Sequence, residues 1–331
     1  MNLCQMSRAS VFAVFAVGLT FQSLNVRAEK NLPREAGAIR YSALTHELKS
    51  LSDDPAGSPG ISFKLTAIGK SVQGRSIWME SVQTATQQSA PQHKVVLYIC
   101  RQHGHEPAST QGALELLRAV HAAKPGSVLF DALQRVDIHV IPMANPDGSE
   151  AFLRHNAHNI DLNRDWLLRT QPESRALWHT LMELHPDIAT DQHELYPTDR
   201  RGDFTETAKT GSLSSPAVIA VCANLQNFVA AYMAQHGDST TEHWIDDDHV
   251  PRLAHRYGCV VAGIPTILFE TARPVNARRS LATRANAQYE FMNAVLEFAA
   301  AADADAEIAR PRLDTANPGF KSTQQNTNRP L

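Results

Sequence analysis

His103-Gly104-His105-Glu106 stands between an apolar run at 95–100 and a helical pattern at 108–124. The run reads as a buried strand. The two histidines and the glutamate therefore lie on a loop at a strand's C-terminal end, the edge where open α/β sheets bind ligands. Imidazole nitrogens and carboxylate oxygens are zinc ligands, and a catalytic zinc keeps three protein ligands and an open position. His103 and Glu106 are spaced so that both can face one ion, and His193, ending a short strand at 187–193, supplies a third ligand. One Zn2+ held by His103, Glu106 and His193 is the cofactor this set predicts.

Other residues suit the chemistry of such an ion. Glu270 ends the apolar strand 264–269, where partial desolvation raises a carboxyl toward a useful general base. Arg154, Asn163 and Arg164 sit in a polar stretch at 149–170, and arginine forks suit carboxylates and oxyanions. Asp161 is placed to accept the other N–H of a ligand histidine and fix its tautomer. The stretch also carries Ile160, Leu162 and Trp166, so it is expected to pack on the fold rather than wave in solvent.

The elements that must position these groups alternate. A first helix is expected at 40–52, an edge hairpin at 63–68 and 76–82, a helical turn or two at 128–133, and a strand at 136–142 that ends in the turn sequence Asn145-Pro146-Asp147-Gly148. Helices follow at 172–185, 215–235 and 279–302, while 197–213 and 236–258 read as polar loops. The class is α/β: a single domain with a mixed, largely parallel central sheet and helices on both faces.

The composition, 43% hydrophobic and 20% charged, is that of a globular chain long enough for one substantial core. Residues 1–28 read as a signal peptide: Arg8, an apolar run at 9–21, and Val26-Arg27-Ala28 as a cleavage site. The run is too short for a comfortable membrane span of about 20 residues. The expected layout is signal 1–28, catalytic domain 29–302 and a disordered tail 303–331, in a secreted or periplasmic monomer with no stable membrane insertion. Cleavage removes two arginines and no acids, so the mature chain is more acidic than the formal −3 of the whole sequence, which argues against nucleic-acid partners. Cys100, Cys222 and Cys259 lie in apolar stretches, where burial raises a thiol pKa, so they are expected as buried thiols rather than nucleophiles, with one bridge open in an oxidising compartment.

In order, His103-Gly104-His105-Glu106, Asn145-Pro146-Asp147-Gly148, Asp161-Leu162-Asn163-Arg164, His193 and Leu268-Phe269-Glu270-Thr271 resemble the zinc carboxypeptidases of the carboxypeptidase A/B type, and 68–77 resembles that family's early hairpin. The resemblance covers about 38–300. It implies His103, Glu106 and His193 as zinc ligands, Glu270 as the base, Arg154 as the residue that polarises the scissile carbonyl, and Asp161 as the partner of His103. It implies Asn163 and Arg164 as the holders of a peptide's free C-terminal carboxylate. Tyr257 is the candidate substrate-capping tyrosine, with Tyr196 behind it. The chain departs from the family at His105, where pancreatic-type members carry Arg, and at Asp165-Trp166. His105 is expected on the substrate side or behind a ligand. His255 and Asp246-Asp247-Asp248 lie in the stretch expected to set specificity. Two other readings compete: a zinc deacylase of N-acyl amino acids, like aspartoacylase, and a non-catalytic zinc-containing binding protein.

Overall fold

The computed structural model describes residues 33–54, 56–84, 93–245, 251–273 and 279–301; the expected signal peptide, the tail and Asp246–Asp248 lie outside them. Among the described residues eight strands form one mixed sheet: β1 (Ile61–Lys70), β2 (Ser76–Thr84), β3 (Lys94–Cys100), β4 (Val136–Ile141), β5 (Ile188–Glu194), β6 (Phe204–Ala208), β7 (Thr241–Ile245) and β8 (Thr266–Thr271). Their order is β1-β2-β4-β3-β5-β8-β6-β7. The centre, β4-β3-β5-β8, is parallel throughout. β1 and β2 form the expected edge hairpin, and β6 runs antiparallel to β8.

Alternation along β3 builds two cores. Val96, Tyr98 and Cys100 face the larger one, with Leu114 and Leu117 of helix Ala108–His121 and Phe291 and Val295 of helix Leu281–Ala301. Leu97 and Ile99 face the other, with Leu177 and Leu181 of helix Pro172–Leu184. Both faces of β3 are thus covered, which is why its sequence is continuously apolar. Helix Pro216–Gln235 is apolar and long enough to cross a membrane, yet it sets Leu225, Val229 and Met233 into the larger core.

Three expectations change. Asn145-Pro146-Asp147-Gly148 is the start of a helix, Pro146–Ala151, rather than a free turn: Asn145 Oδ1 accepts from Gly148 N at 2.9 Å. The polar stretches at 197–213 and 236–258 contain β6 and β7. Burial raises the thiol of Cys100, and the hydrogen bond with Cys259, then burial, raises that of Cys222, but Cys259 lies lower, at about 7: burial raises it, and hydrogen bonds from the Cys222 thiol and Thr266 N–H outweigh that.

Candidate metal centre

The His103 loop leaves β3 through Arg101, whose φ of 57° turns the chain. The buried Arg101 guanidinium holds that turn, its Nε donating to Gly104 O at 3.1 Å and its Nη1 to Ile39 O at 3.1 Å. Gly104 is needed because the loop presses on the Asn145 helix: a Cβ there would lie 2.0 Å from the carbonyl carbon of Gly148. Asn145 Nδ2 donates to Gln102 O at 3.1 Å and Arg154 O at 3.3 Å, so one amide ties the loop to the segment carrying Arg154. Asp147 anchors the same helix to the edge hairpin through Ser71, Gln73 N and Arg75.

At this loop three donors converge. His103 Nδ1 is 2.9 Å from Glu106 Oε1, His193 Nδ1 is 3.0 Å from Glu106 Oε2, and the two Nδ1 atoms are 3.0 Å apart. All three residues are buried, and their ligand atoms lie within 4.8 Å of one another. The outer nitrogens are engaged: His103 Nε2 lies 3.1 Å from Asp161 Oδ1 and His193 Nε2 lies 2.7 Å from Asp191 Oδ1. A carboxylate at Nε2 favours the tautomer with its proton there, leaving Nδ1 as a bare lone pair. Two ring nitrogens and a carboxylate oxygen facing one another at 3 Å make a site that could hold a cation. The donor set fits zinc.

The charges follow. Burial would push the His193 imidazole down, but the Asp191 and Glu106 carboxylates hold it well above its ordinary value. Burial would raise Glu106, but His103 and His193 hold it well below the carboxylate range. Burial would also raise Asp161, but Arg154 and His103 hold it well down. Arg154 Nε donates to Asp161 Oδ2 at 3.0 Å and its Nη1 is 3.6 Å from Glu106 Oε1, so Arg154 borders the cluster.

Glu270 is the Cα partner of His193 across the β5/β8 register. Its Oε2 is shielded from solvent and has no hydrogen-bond partner among the described residues, and burial pushes the carboxyl up to about 8, with His193 pulling it back and Glu106 adding to the rise.

The remaining expected residues are held by contacts of their own. Asn163 is turned inward: its Oδ1 accepts from Ala254 N at 2.9 Å and its Nδ2 lies 2.9 Å from His193 Nε2, so in this arrangement its amide faces a ligand histidine instead of open space. Arg164 is exposed, and its Nη1 donates to Asn163 O at 3.0 Å. Tyr257 is buried in the second core, its hydroxyl accepting from Trp178 Nε1 at 3.1 Å and Arg169 Nη1 at 3.3 Å, so it does not face the cluster. Tyr196 is the tyrosine near the loop, its ring centroid 6.1 Å from that of His105. His105 is as buried as the ligand residues; burial first, offset in part by Glu106, leaves its imidazole lowered to about 3.

Sequence reasoning overlooked Asp191, Gln102 and Glu194, and it placed His255 in the specificity stretch rather than against Asp191. Asp-Gln-His at 191–193 is a legible signal, since alternate strand residues share a face. Glu194 anchors the strand end: its Oε1 accepts from Arg284 Nε at 2.6 Å, and Arg284 also reaches Glu35 at 2.7 Å.

The family model described as zinc carboxypeptidase matches residues 56–299. This chain belongs to that family. It is 39% identical over 92 residues to Carboxypeptidase 2 of Trichophyton rubrum, a match that covers 28% of this chain and only 17% of that relative. Its fold is similar to a metallo-carboxypeptidase from Burkholderia cenocepacia (TM-score 0.64, 23% identity, 78% of this chain and 68% of that one). It is also similar to the carboxypeptidase A of Helicoverpa armigera (TM-score 0.63, 16% identity, 87% and 81%). At these identities the structural likeness speaks for the fold.

Proposed function

We propose that this chain is a zinc-dependent carboxypeptidase that releases the terminal residue from peptides with a free C-terminal carboxylate. The observation that carries this is the convergence of His103 Nδ1, Glu106 and His193 Nδ1 beside the shielded Glu270 carboxyl. His103, Glu106 and His193 would hold the zinc, which would supply the positive charge that polarises the scissile carbonyl and acidifies the attacking water. Glu270 takes a proton from the attacking water and passes it to the leaving amine. Arg154, held by Asp161 at the rim of the cluster, donates to the oxygen that gains charge. Arg164 is the exposed guanidinium that receives the substrate's terminal carboxylate. Asn163 joins it only by leaving its bond to Ala254 N.

The test is digestion of a peptide library by the zinc-loaded full chain, read by mass spectrometry. Single C-terminal residues should be released, and Glu270→Gln should lower kcat by about 100- to 10,000-fold while zinc stays bound. Internal cleavage, or a mutant as active as wild type, would overturn the mechanism. Hydrolysis of N-acyl amino acids without peptide cleavage would assign the chain to the deacylases instead. Bound zinc with no hydrolysis of either would make it a binding protein.

A further inference from the structure

Asp191 belongs to none of the motifs that define the family resemblance, yet it is the shortest polar contact of a ligand histidine. It precedes His193 by two residues on β5, so both side chains leave the same face of the strand. Its Oδ1 lies 2.7 Å from His193 Nε2, and the carboxylate is fully buried.

The carboxylate is held from the other sides as well. Gln102 Nε2 donates to Oδ1 at 2.5 Å, and the Gln102 amide is oriented because its Oε1 accepts from Trp166 Nε1 at 2.7 Å. His255 Nδ1 lies 3.5 Å from Asp191 Oδ2, and His255 Nε2 lies 3.3 Å from Glu206 Oε1 on β6. The result is a column running from the metal centre across the sheet: buried His193, Asp191 and His255, then half-buried Glu206.

Asn163 Nδ2 also comes within 2.9 Å of His193 Nε2, but it cannot take that nitrogen's proton. Its own oxygen is committed to Ala254 N, so it presents only N–H groups there. Asp191 is the acceptor.

We propose that Asp191 is a positioning residue of the metal centre, fixing the His193 ring so that Nδ1 points at the ion, with His255 holding Asp191 from behind. The two ligand histidines are then supported differently. The carboxylate behind His103, Asp161, is shared with Arg154 at the substrate side, whereas the one behind His193 is shared only with buried groups. Carboxylates in this position set both the tautomer and the basicity of a ligand histidine, and losing one costs about 10- to 100-fold in metal affinity.

The inference rests on the zinc-binding part of the proposed function and not on peptide hydrolysis. The experiment is chelator competition for zinc by the full-length chain, comparing wild type with Asp191→Asn, His255→Asn and, as a buried carboxylate far from the ligands, Glu80→Gln. Asp191→Asn should weaken zinc about 10- to 100-fold, His255→Asn severalfold, and Glu80→Gln not at all. In the zinc-loaded wild type an exchange-protected imidazole N–H resonance from His193 Nε2 should be visible, and it should shift or disappear in Asp191→Asn. A folded Asp191→Asn that binds zinc within twofold of wild type overturns the proposal. If that variant does not fold, unchanged affinity in His255→Asn overturns it. Wild type that binds no zinc would instead remove the reading on which the inference rests.

Discussion

His193 shows how much one residue depends on its surroundings. It faces Glu106 and His103 through one ring nitrogen and Asp191 through the other, and without a cation its ring keeps a proton well above the ordinary histidine range. Zinc must displace that proton from Nδ1. The raised value means the protonated form persists to higher pH, so zinc binding should strengthen as pH rises and weaken as it falls. For one displaced proton the apparent zinc Kd should change by roughly tenfold per pH unit below the histidine's value. Competition titrations from pH 8 to pH 6 check this, and a flat profile would contradict it. His103, Glu106 and Glu270 were legible because each sits at a strand end beside an apolar run. The orientation of Asn163 was not, because it depends on Ala254 N, a partner 91 residues away. Nor was the removal of Tyr257 into the core, which depends on Trp178 and Arg169. Residue type and spacing name candidates; the contact that commits a side chain is made by distant chain.

At the scale of elements, the strands with continuous apolar runs and the long helices were readable. β6 and β7 were not: Phe204-Thr-Glu-Thr-Ala has little apolar content and pairs at the far edge of the sheet. Its value lies in what it delivers, since Glu206 ends the column behind His193 and Phe204 is the Cα partner of Glu270. The opposite side of the sheet carries a different feature. Glu80 on β2 is fully buried, neither carboxyl oxygen has a hydrogen-bond partner among the described residues, and burial, with Asp53 adding to it, raises the group to about 8. A carboxyl whose folded value lies above its unfolded one adds stability that is complete below the unfolded value, here 4.5, and is lost as pH rises through about 8. Wild type should therefore melt at a lower temperature at pH 9 than at pH 5 on account of this group. Glu80→Gln should flatten that part of the profile and melt above wild type at pH 9. Equal pH profiles for the two proteins, measured by thermal denaturation, would refute it.

The whole molecule places its chemistry at one edge. β3, β5 and β8 are adjacent and parallel, so the His103 loop, His193 and Glu270 emerge together at their C-terminal ends. The same alternation of strands and helices that identifies the class from sequence dictates this convergence. The first residues of the sequence bear on where such an enzyme would work. Residues 1–28 carry a short apolar run and a small-x-small site ending at Ala28. We infer that the chain is exported and cleaved after Ala28, which would present peptide substrates outside the cytoplasm and expose the thiols to an oxidising environment. Cys222 and Cys259 lie with their sulfurs 3.8 Å apart. Intact-mass measurement of the protein from the periplasm or culture medium of an expressing bacterium should find a chain starting at Glu29. A chain recovered in the cytoplasm with its first residues intact, or one held in the membrane by an uncleaved apolar run, would refute export by cleavage while leaving the metal centre untouched.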